Sequence, residues 1–173
     1  KWLMPNRKAQ TGFSDTLDLG NYVIEIKVTE EYEQLQEPIF KQKIFADGSL
    51  KALQIIREDG RRTRVYPNTA VLVGDTIRIT CPQENLEKIQ KTKGVEIKAE
   101  LDWNEETLTN EDEKIFEALV TPNSFLINRS IKSIKFRQIF ENVLVIGIRH
   151  RAGILENMLS KTTLKPGDVL LLR

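Results

Sequence analysis

A Gly-Asp pair that opens a short apolar strand occurs twice, as Val73-Gly74-Asp75-Thr76-Ile77-Arg78-Ile79 and as Lys165-Pro166-Gly167-Asp168-Val169-Leu170-Leu171-Leu172, and it constrains this chain more than any other feature. Towards the N-terminus, Ile56-Arg57 aligns with Ile148-Arg149, Val28-Thr29 with Val120-Thr121, Glu25 with Glu117 and Ile39 with Ile131, each pair 92 residues apart. The Gly-Asp pairs stand 93 apart, which places one inserted residue in the second copy, near its Arg149-His150-Arg151-Ala152-Gly153 turn. Self-similarity at a fixed long period marks a repeated structural unit. Two units of about eighty residues are expected, each with only a thin core.

Composition sets the bounds. With hydrophobic residues at 40% and charged residues at 29%, the chain is globular, and a formal net charge of +1 gives no bulk field to attract nucleic acid. Cys81 is the sole cysteine, so neither an intrachain disulfide nor a multi-cysteine metal site can form, as in a reducing compartment. No apolar run approaches the roughly 20 residues of a transmembrane helix, and the chain reads as soluble. Residues 1–21 form an N-terminal connector. Its Lys1-Trp2-Leu3-Met4-Pro5-Asn6-Arg7-Lys8 start has the Trp-plus-basic composition found where a membrane helix emerges in the cytoplasm, or it is a terminus packed on its own domain.

Alternation over Tyr22 to Val28 predicts a half-buried strand. Leu35, Ile39 and Ile44 give a short helical stripe, Leu50 to Arg57 an interior strand, and Glu58-Asp59-Gly60 a turn into a polar strand ending at Tyr66. Thr76 to Thr80 is the strand after the first Gly-Asp pair, and Pro82 to Lys93 a closing helix with Gly94 at its end. The first unit spans 22–100. An acidic linker follows at 101–112, where Asp102, Glu105, Glu106, Glu111 and Asp112 stand without a basic residue. The second unit, 113–173, repeats the pattern with strands at Ile115 to Thr121, Asn142 to Arg149 and Val169 to Leu172, and a short helix from about Ser130.

The second copy carries Ser130-Ile131-Lys132-Ser133-Ile134, Phe136-Arg137, Val143 to Arg149, Gly153 and the Leu164-to-Leu172 run. In this it resembles the TrkA-C domain, also called the C-terminal domain of regulators of potassium conductance. The first copy keeps Ile55-Ile56-Arg57, Gly60, Pro67 and Leu72-Val73-Gly74-Asp75, but has Ile44-Phe45 where the second has Phe136-Arg137. The resemblance implies an α+β chain of two tandem TrkA-C-like units, each a small, mostly antiparallel sheet with a short helix. Two such units after a basic, Trp-containing start look like the cytoplasmic segment between membrane helices of bacterial divalent-anion:sodium symporter type transporters. The implied role is regulation or ligand sensing at the cytoplasmic face of the inner membrane, without enzyme activity or cofactor. The implied partners are the transmembrane part of the same transporter and further copies of the chain. The alternative is a pure oligomerisation module with no small-molecule ligand. No Gly-x-Gly-x-x-Gly stretch is present, so nucleotide sensing by a fused dinucleotide-binding fold is not expected.

Both Gly-Asp pairs read as turns, with the aspartate bonding backbone amides two residues on. His150, the sole histidine, reads as a surface turn residue, and Cys81 as a small buried filler. One charge asymmetry points to a ligand. Arg129, Lys132, Lys135, Arg137, Arg149 and Arg151 face a single acid, Glu141, over residues 129–151. Arg129, Arg137, Arg149 and Arg151 are therefore candidate ligands of a small anion such as a nucleotide, phosphate or carboxylate; a solvated basic face is the alternative. The apolar residues of the short helices, Ile39, Phe40 and Ile44 in one copy and Ile131, Ile134 and Ile139 in the other, are expected at contacts between units or chains.

Overall fold

The computed structural model describes residues 20–99, 114–140, 143–150 and 157–173. Among these residues eight strands form one sheet: β1 (Tyr22–Val28), β2 (Lys51–Ile56), β3 (Arg62–Arg64), β4 (Thr76–Cys81), β5 (Val95–Ile97), β6 (Phe116–Leu119), β7 (Val145–Arg149) and β8 (Val169–Leu172). The strand order is β3-β2-β4-β1-β7-β8-β6, with β5 also on β1, and every named pair is antiparallel. Among the described residues, three short α-helices lie off the sheet: α1 (Leu86–Gln90), α2 (Ile131–Ile134) and α3 (Phe136–Ile139).

β1 is where the halves join. One of its edges pairs with β4 along six residues, while the other takes β5 at Ile26 to Val28 and β7 at Val23 and Ile24. Flanked on both sides, β1 is buried on both faces except at Lys27, where alternation predicted a half-buried strand. Its alternate residues feed two cores. Tyr22, Ile24, Ile26 and Val28 belong to the first, with Ile146 and Leu171 of the second half; Val23 belongs to the second, with Val145, Ile148 and Leu170. Gly147 makes the joint possible, because a Cβ there would lie 2.7 Å from Ile24 Cγ2, its register partner.

The halves repeat one another bond by bond. Val28 donates its N–H to the Asp75 carbonyl at 2.9 Å and Val120 to that of Asp168 at 2.8 Å; Gln36 donates to Val71 at 2.7 Å and Asn128 to Leu164 at 2.9 Å. Gln36 and Asn128 share a left-handed backbone, at φ 64° and 60°. The bridge Pro38–Ala70 recurs as Ser130–Thr163. Registers place the inserted residue earlier than the sequence alignment did. Ile56 pairs with Thr76 and Arg149 with Val169, so Ile56 corresponds to Arg149 and Arg57 to His150. The Phe45 N–H bonds the Gln42 carbonyl as that of Gln138 bonds Lys135, so the extra residue precedes Lys135, in α2, which has four residues where the first half has the three-residue 3-10 turn Ile39–Lys41.

The first helical stripe forms two 3-10 turns, Ile39–Lys41 and Lys43–Phe45, broken at the extended Gln42. Buried Gln42 explains the break: its amide donates to the carbonyls of Gln34 at 2.9 Å and Glu37 at 3.0 Å and accepts from the Tyr32 hydroxyl at 2.5 Å. In the second half Ser130 caps α2 by accepting the Ser133 N–H at 3.1 Å. Ile39, Ile44, Ile131 and Ile134 point into their own cores, correcting their assignment as contact surfaces between units, while Phe40 and Ile139 are exposed. The closing helix is shorter than expected, a 3-10 turn at Gln83–Asn85 running into α1, and β5 follows Gly94 unpredicted. The linker at 101–112 and the Ala152-Gly153 turn lie outside the described residues.

Candidate functional site

Each Gly-Asp turn is closed by a basic side chain at or just past the end of the neighbouring strand, Arg57 after β2 beside β4 and His150 after β7 beside β8. Asp75 Oδ2 accepts the Leu72 N–H at 2.8 Å, and Arg57 Nη1 lies 2.5 Å from the same oxygen while also donating to the Ala70 carbonyl at 3.1 Å. Asp168 Oδ2 accepts the Lys165 N–H at 2.8 Å, and His150 Nδ1 lies 2.8 Å from its other oxygen, without the alignment of a hydrogen bond. The aspartates therefore bond three residues back, not two residues on. Gly74 and Gly167, at φ 80° and 89°, allow this reversal. Burial raises the Asp75 pKa, and the Leu72 N–H and Arg57 partly offset it. His150 is not the surface residue expected, since its side chain is 10% exposed against a fully buried Asp168. A groove of about 380 Å³ lies over the first turn, lined by Arg57, Glu58, Asp59, Arg61, Leu72 and Val73, with Asp75 at its base. It mixes both charge signs with exposed Leu72 and Val73.

The second feature is a pair of equivalent glutamates, each turned to the opposite half. Glu25 on β1 is buried with Arg78 of β4, Nη2 to Oε1 at 3.0 Å, and the same oxygen accepts the Leu159 N–H at 3.1 Å. Leu159 begins the 3-10 turn Leu159–Lys161 of the second half. Glu117 on β6 accepts the Tyr22 hydroxyl and lies 3.7 Å from Arg149 Nη2. The Arg149 guanidinium sits 5.0 Å from the Tyr22 ring centroid. Burial first, and the bond to Glu117 second, push the Tyr22 phenol far above the ordinary tyrosine range.

Two of the four candidate anion ligands, Arg129 and Arg149, have described side chains. Arg149 is engaged by Glu117 and Tyr22 at the joint, and Arg129 is exposed where the chain enters α2. Arg137 lies in α3 and Arg151 outside the described residues. Sequence reasoning missed Tyr22, Glu25 and Arg78, and their signal was faint: an acid and a base at inward positions of otherwise apolar strands. Burial pushes the Cys81 thiol up to about 12, in keeping with an inert filler. No group of three or more His, Cys, Asp or Glu among the described residues could hold a metal ion.

Residues 115–173 match the TrkA-C domain, a regulatory and non-catalytic family, and the α+β fold is TrkA-C-like. The chain is 29% identical over 161 residues to a protein of Synechocystis sp. named an uncharacterized transporter. That alignment takes in 90% of this chain but 26% of the relative. No solved structure matches the chain. None of the helices among the described residues is long and apolar enough to cross a membrane.

Proposed function

We propose that this chain is the regulatory region of a bacterial membrane transporter of the divalent-anion:sodium symporter type, made of two tandem TrkA-C-like units, 22–100 and 113–173, at the cytoplasmic face of the inner membrane. It acts on the transmembrane part of the same protein, senses a small anion, and works without catalysis. The observation that carries the tandem reading is the repeat of backbone bonds, in which the half that precedes the TrkA-C match makes the same turn, bridge and strand contacts as residues 115–173. The relative named as a transporter supports the membrane partner.

The sensing form of this proposal places the anion at Arg129, Arg137, Arg149 and Arg151. The test is a thermal-shift screen of the purified chain against nucleotides, cyclic dinucleotides, and di- and tricarboxylates, since a ligand of the folded state raises Tm. A shift lost in Arg129→Ala and Arg137→Ala sustains sensing. One observation favours a second reading, an assembly module without a ligand: Arg149 is already occupied by Glu117 and Tyr22. No shift from any compound would select it.

A further inference from the structure

The two equivalent glutamates are served unequally. Glu25 is buried, and its Oε1 takes Arg78 Nη2 at 3.0 Å, Arg78 Nε at 3.3 Å and the Leu159 N–H at 3.1 Å. That pair is closed. Glu117 keeps 40% of its side chain exposed, and its Oε2 stops 3.7 Å from Arg149 Nη2, beyond hydrogen-bond length. Among the described residues the Arg149 guanidinium makes no hydrogen bond, and its partners are this carboxylate and the face of the Tyr22 ring.

The repeat itself does not call for a cation here. By register Arg149 takes the place of Ile56, which is buried, and Glu117 lies opposite Leu171 where Glu25 lies opposite Arg78. A guanidinium held over an aromatic ring, with its planar fork of donors unfilled, is shaped to take a carboxylate. Glu117 offers one at a poor distance, while its other oxygen accepts the Tyr22 hydroxyl. A partly exposed side chain can leave such a contact for water at little cost.

We propose that Arg149 and Tyr22 form a site for a small carboxylate, and that Glu117 is its built-in competitor, holding the site until a ligand displaces it. The inference rests on the sensing reading and adds what is sensed and how the site is kept shut. A carboxylate that displaces Glu117 accepts from the Arg149 fork and from the Tyr22 hydroxyl, the same two groups that the glutamate faces. Tyr22 lies on β1 of the first half, Arg149 and Glu117 on β7 and β6 of the second. Binding therefore ties the halves through the ligand and releases β6 from Tyr22, which turns occupancy into a change at the joint.

The test is isothermal titration of the full chain with acetate, succinate, citrate and inorganic phosphate, in wild type and in Glu117→Gln. The glutamine keeps an acceptor for the Tyr22 hydroxyl and drops only the charge, so the circular dichroism spectrum should not change. The expected result is a carboxylate Kd that falls about two- to fivefold in Glu117→Gln, the factor a partly exposed ion pair is worth. Binding should be lost in Arg149→Gln and weakened in Arg149→Lys, which keeps the charge without the fork. Carboxylate binding that Glu117→Gln leaves unchanged or weakens would overturn the competitor while sensing stands. Binding that survives both Arg149 substitutions would overturn the site and place sensing elsewhere. No carboxylate bound by wild type or by Glu117→Gln would also overturn it, leaving sensing to the other anions of the screen. Phosphate bound as tightly as the carboxylates would overturn the ligand class.

Discussion

Ile24 of β1 and Gly147 of β7 lie directly opposite one another, and the missing side chain of Gly147 is what lets the two halves share a sheet. A Cβ at this position would meet a fully buried Ile24 methyl at 2.7 Å, with Leu171 Cβ and the Val23 carbonyl at 3.4 Å behind it. Gly147→Val should destabilise the chain by about 1–3 kcal/mol through overpacking. Urea unfolding measures the loss, and Ile24→Ala in the same chain should recover part of it.

The Glu25–Arg78 pair is almost fully buried and tied to the other half through the Leu159 N–H. Removing one member leaves the other charge in an apolar interior, at a cost of about 3–5 kcal/mol, while replacing both with apolar residues of similar volume is often neutral. Arg78→Met should therefore lower the urea midpoint strongly, and Glu25→Leu with Arg78→Met should restore much of it.

How far the sequence revealed this fold depended on whether a signal was local. The Gly-Asp turns and the strands after them were legible, because glycine at positive φ and an aspartate that bonds backbone leave a fixed signature. The β1–β7 pairing was not, since two residues opposing two others across more than a hundred positions leave no period. Periodicity showed that Ile39, Ile44, Ile131 and Ile134 share apolar faces but not that their own cores cover them. The Ile-Arg dipeptide at 56–57 and 148–149 suggested a correspondence that a one-residue insertion in α2 had shifted, hiding the match of Arg57 with His150.

That match gives a prediction of its own. Arg57 closes the first turn with a permanent charge, whereas His150 closes the second. His150→Arg should keep the fold and its urea stability, since it installs the first half's arrangement. His150→Ala should cost about 1–3 kcal/mol, by taking a polar partner from buried Asp168.

Two tyrosines and the buried Cys81 thiol set the alkaline limit. Burial, with Glu37 as a secondary cause, raises the Tyr32 phenol to about 12, and Tyr22 is raised further. Both folded values exceed the unfolded value near 10. Stability from these phenols is thus fully present below about pH 10 and is lost as pH rises through the folded values, because the native state holds protons that the unfolded chain releases. Urea midpoints should fall above pH 10, and Tyr22→Phe with Tyr32→Phe should flatten that slope.

Joined through β1, the two halves should behave as a single cooperative body, so that an event at one half is felt in the other. Native-state hydrogen exchange tests this most directly, by comparing the amides of Ile77 and Ile79 in β4 with those of Leu170 and Leu171 in β8. One shared opening free energy with the same urea dependence is the predicted result. A β8 that opens at a clearly lower free energy than β4 would contradict it and make the halves independent domains.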